Sequence, residues 1–293
     1  MKEFPVFVPS GKEHIGAVIT VPDGDIKGLV VQAPGGGGAP RSHRFGLWTK
    51  LSRSLADQGL ASVRMEWPGV GDSTGELFSG FHALPLEHMV AVAEFAMEAT
   101  GTKRVGLVGN CLAARAAVWS APKLPTTESI VLIFLNPLGG TAGNEEIVTK
   151  AKNFFQAFPK PVERAARAAY MTWRRGRVLA KAAKAKRPPL MANVRALDPS
   201  IDVLFLESQT ELAGRLPKMV ASLKGKGDPR RIEIDYLTGS SMQQFESRAE
   251  QEKVIAATTN WFAQSFGATT ESVASEAAER IVRLEEAESS AAV

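Results

Sequence analysis

Cysteine occurs once in these 293 residues, at Cys111. One thiol cannot close an internal disulfide, so the chain gives no sign of an oxidising compartment. Histidine occurs four times, and none follows His88. That excludes a proton-relay imidazole from the last two thirds of the chain. No run of 18 apolar residues is present, so a membrane span is not expected. Met1-Lys-Glu-Phe-Pro5 has no secretory apolar stretch. A cytoplasmic, soluble monomer or homodimer is the starting expectation. No cofactor or metal is expected.

Hydrophobic residues make up 44% of the chain and charged residues 23%, ordinary for globular material. The length allows one large core with a subdomain. The formal charge of +4 is unevenly spread. Residues 141–190 hold twelve Lys or Arg against three Glu, which leaves 23 basic and 28 acidic residues elsewhere. A basic segment can steer an acidic substrate or an acidic carrier protein. It has no aromatic interleaving or nucleic-acid module, so no nucleic-acid partner is expected.

Short apolar runs at residues 4–8, 15–21, 27–32, 60–67, 105–108, 130–135, 201–206 and 231–237 read as strands. Amphipathic stretches at 44–58, 84–100 and 246–266 read as helices. Thr210 to Leu223 reads as a further helix that Pro217 kinks or splits. Strands this apolar, alternating with helices, predict a mostly parallel sheet covered on both faces. The alternation breaks between Gly140 and Ile201. The expected organisation is a core of residues 1–140 and 191–267, a basic helical cap inserted at 141–190, and a tail or helix at 268–293.

Cys111 stands where the strand 105–108 meets the small-residue run Ala113, Ala114, Ala116, Ala117. A thiol on a strand–turn–helix sits at a helix N-terminus, whose dipole favours the thiolate. Attack on a carbonyl would create an oxyanion, which backbone N–H groups can stabilise. The Leu112 N–H is the natural donor, with a second from the glycine loop at Gly35 or Gly36. This loop is no P-loop, because no Gly-Lys-Ser/Thr follows it.

These motifs resemble the α/β-hydrolase superfamily. Its nucleophile elbow, Gly-X-Ser/Cys-X-Gly, stands here as Gly109-Asn110-Cys111-Leu112-Ala113. Its Asp-X-X-Gly-X-Gly-Asp-Ser segment stands at Glu66 to Ser73, with Glu66 for the first Asp. Asn136-Pro137 suits the strand after the elbow. Within the superfamily the chain is similar to a bacterial subgroup associated with exosortase systems and biosynthetic clusters, through the glycine loop, His43-Arg44-Phe45 and the cysteine elbow. The resemblance spans about residues 12–266 and implies an α/β-hydrolase fold with an inserted helical cap.

It also implies a triad that this chain completes irregularly. The acid position after residue 206 offers Glu207 or Glu211. The histidine position offers Met242 or Gln243, neither of which is a base near neutral pH. His43 is the best local substitute, for substrate binding, proton transfer or support of the loop, and His82 could border the cleft. His14 reads as an edge residue, and His88 as a surface or packing residue. The expected function is non-standard acyl processing of an ester or thioester: acyl transfer, cyclisation or hydrolysis in specialised metabolism. The alternatives are elimination on the same fold and a degenerate, binding-only hydrolase. Arg174, Arg175 and Arg177 of the cap are expected to receive a carboxylate, a phosphopantetheine arm or an acidic carrier.

Overall fold

Leu29–Ala33 and Val105–Asn110 are buried along their whole length, so their side chains must be covered on both sides. That requirement places them at the centre of a mostly parallel sheet. The computed structural model describes residues 1–35, 38–77, 84–134, 190–208, 216–223, 229–237, 245, 247–267 and 272–291. Its strands are β1 (Lys2–Ser10), β2 (Glu13–Val21), β3 (Asp25–Ile26), β4 (Leu29–Ala33), β5 (Ala61–Met65), β6 (Val105–Asn110), β7 (Thr127–Ile133), β8 (Asp202–Ser208), β9 (Ile232–Leu237) and β10 (Ser272–Val273). Eight of them form one sheet in the order β1-β2-β5-β4-β6-β7-β8-β9. β1 and β2 pair antiparallel, β2 pairs antiparallel with β5, and the rest run parallel.

Helices α1 (Leu47–Ala56), α2 (Leu86–Thr100), α3 (Leu112–Ser120), α4 (Leu190–Arg195), α5 (Leu216–Ala221), α6 (Arg248–Phe266) and α7 (Ala274–Ala291) complete the described chain. α1 packs on α6, and α2 packs on α3 and α7. Trp48, Leu51 and Leu55 of α1 join Trp261, Phe262 and Phe266 of α6 in one buried apolar cluster. Burial of such side chains supplies most of the driving force. Ser247 caps α6 by accepting the Glu250 N–H at 3.0 Å. The residues after 267 are helical from Ala274, and Arg280 donates to the Ala99 and Thr100 carbonyls at the end of α2.

The predicted helix at 44–58 starts late. His43, Phe45 and Gly46 all take positive φ, so a short 3₁₀ turn at Arg44–Gly46 precedes α1. The strand predicted at 130–135 ends at Ile133 because Phe134 has φ 49°. Pro217 sits in the first turn of α5, where its missing N–H costs nothing. β1 is an edge strand, and Pro5 and Pro9 withhold donors from any added strand.

Contacts divide the chain into two compact units, Met1–Leu135 with Val194–Val293, and Asn136–Asn193. The expected cap at 141–190 lies outside the described residues except for Leu190. Among the described residues no helix is long and apolar enough to cross a membrane.

Candidate active site

β6 carries its chain into a sharp turn and α3 carries it out. The turn residue, Cys111, has φ 51° and ψ −108°, a combination that strains any side chain with a Cβ. The turn closes tightly enough that a Cβ at Gly109 would lie 2.4 Å from the Ala113 carbonyl carbon. Only glycine fits there. The Cys111 N–H donates to the Ile133 carbonyl at 2.9 Å, which ties the turn to the end of β7. Cys111 itself is half-buried at the carboxyl end of the sheet, where crevices form in open parallel sheets. The arrangement is a strand, a sharp turn and a helix, with Cys111 at the turn.

Burial pushes the Cys111 thiol up from its ordinary range. The Leu112 backbone N–H and the Arg115 charge pull the other way, and the Glu207 charge adds to the rise. The helix N-terminus was expected to favour the thiolate; desolvation outweighs it, and the protonated thiol is the resting form near neutral pH. Arg115 escaped the sequence reading. It sits among alanines on α3 one turn beyond Cys111, and it is buried. Glu207, also buried, is the last residue but one of β8, two strands from β6.

The glycine loop is anchored by the residue before the cysteine. Asn110 Oδ1 accepts the Gly35 N–H at 2.5 Å. Its amide nitrogen therefore faces His43 Nε2, 3.1 Å away, and donates to it. A Cβ at Gly35 would collide with the Asn110 amide, within 2.8 Å of its nitrogen. Trp67 Nε1 donates to the Pro34 carbonyl at 2.8 Å and supports the same loop. The Gly35 N–H, expected to face an oxyanion, is thus committed to Asn110 in this state. Gly36 lies outside the described residues.

His43 is 6% exposed and packs edge-on against Trp48 and Phe245. Burial lowers its pKa to about 4, and the nearby Arg44 backbone offsets this only in part. Its Nδ1 makes no hydrogen bond of normal geometry among the described residues. The geometry therefore places His43 as a neutral acceptor that holds Asn110, rather than as a solvated base. His88 bonds Ser10 Oγ at 2.8 Å, and His14 is exposed on β2. No imidazole is hydrogen-bonded to the Cys111 sulfur among the described residues. His82, Glu211, Arg174, Arg175, Arg177, Met242 and Gln243 lie outside them.

Glu66, the residue in place of the motif's first Asp, is structural. It accepts the Asp72 N–H at 2.8 Å and pairs with Arg41 at 2.8 Å. Arg41 also pairs with Asp72 at 2.7 Å. No group of three His, Cys, Asp or Glu suited to a metal occurs among the described residues.

Comparison with known proteins extends this geometry. Residues 28–256 match the family described as alpha/beta hydrolase fold. No curated protein matches the sequence. Among solved structures, the chain is similar to the Pyrococcus furiosus esterase Pf2001 at 11% identity and TM-score 0.61, covering 91% of this chain and 92% of that one. It is similar to the Bacillus coagulans carboxyl esterase at 12% identity and TM-score 0.61, covering 91% and 100%. It is also similar to the Anabaena variabilis dienelactone hydrolase at 15% identity and TM-score 0.57, covering 90% and 97%. Identities this low speak for the fold.

Proposed function

The chain belongs to the alpha/beta hydrolase fold family, and on that premise we propose that it processes an activated acyl group through a thioester on Cys111. The observation that carries the reading is the strained backbone of Cys111. A non-glycine residue held at φ 51° on a strand–helix turn marks a functional constraint, and here it presents a half-buried sulfur beside the Leu112 N–H.

The step is simple in outline. Sγ–H loses its proton to solvent, and the thiolate attacks the carbonyl carbon. The new Sγ–C bond displaces the leaving alkoxide or thiolate, which takes up a proton. The Leu112 N–H stabilises the charge that collects on the carbonyl oxygen. Water, an acceptor or a group of the substrate then attacks the thioester. Hydrolysis, transfer and cyclisation differ only in that second nucleophile.

Substrate class follows from the weak base. No imidazole is bonded to the sulfur among the described residues, and the thiol rests protonated. A poorly activated thiol exchanges best with a leaving group no more basic than itself. Thioesters meet that condition, and simple alkyl esters do not. We place the reaction in specialised metabolism, with a small acyl substrate, free or on an acidic carrier that the basic segment 141–190 would attract.

The test is turnover of a panel of acyl thioesters against matched oxyesters, followed by loss of thioester absorbance. The expected result is a preference for thioesters that Cys111→Ala abolishes. Equal turnover by wild type and Cys111→Ala would reject covalent catalysis. No turnover by either would favour the second reading, a binding-only hydrolase relative, which the raised thiol pKa also fits.

A further inference from the structure

The peptide group between Pro34 and Gly35 is held at both ends. Its carbonyl oxygen accepts the Trp67 Nε1–H at 2.8 Å, and its N–H donates to Asn110 Oδ1 at 2.5 Å. β4 and β6 are parallel neighbours with Ala33 opposite Gly109. Asn110 therefore stands beside the chain where the glycine loop leaves β4. It is also the residue before Cys111. One buried side chain thus joins the glycine loop to the cysteine turn.

The Asn110 amide can make these bonds in one orientation only. A backbone N–H is a donor, so the amide oxygen faces Gly35 and the amide nitrogen faces His43 Nε2 at 3.1 Å. Nε2 must then accept, which puts the proton of the neutral imidazole on Nδ1. With Nε2 engaged and Nδ1 protonated, His43 has no free lone pair for a substrate proton. Its backbone, at φ 58° and ψ 175°, sits near a region that only glycine takes freely. Trp48 and Phe245 pack edge-on against the ring. A strained backbone and two aromatic walls thus keep the imidazole on Asn110.

We propose that Asn110 is a positioning residue for the acyl step: oriented by His43, it locks the Pro34–Gly35 peptide and so fixes the glycine loop relative to Cys111. This deepens the thioester reading and rests on it. In this role Asn110 touches neither the substrate nor the reacting atoms, and it moves no proton. A single grip at the carbonyl would leave the peptide plane free to turn about that bond. The second grip removes this freedom before substrate arrives, so no ordering of the loop is left for the transition state.

Turnover of acetyl, butyryl and octanoyl thioesters of N-acetylcysteamine tests the proposal, with kcat and KM read separately. Asn110→Ala is expected to lower kcat about a hundredfold, the scale of a small misplacement in a reacting site. KM stays within about twofold, because the thioester loses no direct contact. His43→Leu, which cannot accept from Asn110, lowers kcat in the same way, and His43→Gln restores most of that loss. Circular dichroism and thermal melting check that each variant is folded. If Asn110→Ala does not fold, the comparison of His43→Leu with His43→Gln makes the test alone.

A lower melting temperature with kcat intact would mark Asn110 as merely structural and overturn the proposal. A raised KM with kcat unchanged would mark a substrate contact, with the same consequence. His43→Gln as slow as His43→Leu would mark proton transfer at His43 and overturn its orienting role. No turnover by wild type would overturn the thioester reading together with this inference. An active wild type matched by Asn110→Ala would overturn this inference alone.

Discussion

Acid should loosen the glycine loop through one residue. His43 is 6% exposed, and its pKa falls from an ordinary 6.5 to about 4 in the folded chain. The folded protein therefore keeps His43 neutral where the unfolded chain has already bound a proton. Stability from this group is complete above about pH 6.5 and is lost as pH falls toward about 4. The full difference is about 3 kcal/mol, since each pKa unit is worth about 1.4 kcal/mol. At about pH 4.5 some 2.5 kcal/mol of it, roughly, is already gone. Protonation also removes the acceptor for Asn110 Nδ2, so the same event frees the Gly35 anchor. The assay is urea unfolding of wild type and His43→Gln at about pH 7.5 and about pH 4.5. Gln keeps a carbonyl acceptor but does not titrate. Other titrating groups, such as Glu3 and His88, are common to both proteins and cancel in the comparison. Wild type should lose about 2.5 kcal/mol more than the variant. Equal losses would refute the buried, neutral assignment of His43.

Further outcomes follow from the same geometry. Asn110→Ala leaves the Gly35 N–H and His43 Nε2 without their partner, and should cost about 2–4 kcal/mol in urea unfolding. Gly109→Ala places a methyl 2.4 Å from the Ala113 backbone and should lower stability by at least about 2 kcal/mol, read as a fall in melting temperature. Ser247→Ala removes the cap of α6 and should cost about 1 kcal/mol, read in urea unfolding.

The sheet was legible because its strands are short apolar runs between helical periods. The strand–turn–helix around Cys111 was legible because an apolar run, glycine, cysteine and alanines occur in an unbroken order. Local backbone conformation was less so. Nothing in the sequence around His43, Phe45 or Phe134 announces positive φ, since tertiary packing imposes it; so α1 begins late and β7 ends early. The pairing of β3 with β10 joins two-residue strands distant in the chain, too short for any periodicity to reveal. Asn110 gave no sign of its two hydrogen bonds, to the loop and to the imidazole, because those partners are 75 and 67 residues away. Arg115 was hidden for a different reason. A charged residue in an alanine-rich helix reads as a solvated face, and only the crossing of α3 over the sheet buries it.

The most direct test is intact mass after brief incubation with a small acyl thioester. Folded wild type should gain the mass of one acyl group, and hydroxylamine should remove it. Cys111→Ala should gain nothing. An unmodified wild type across a varied acyl panel, or the same adduct on Cys111→Ala, would contradict the claim that this sulfur carries the acyl group.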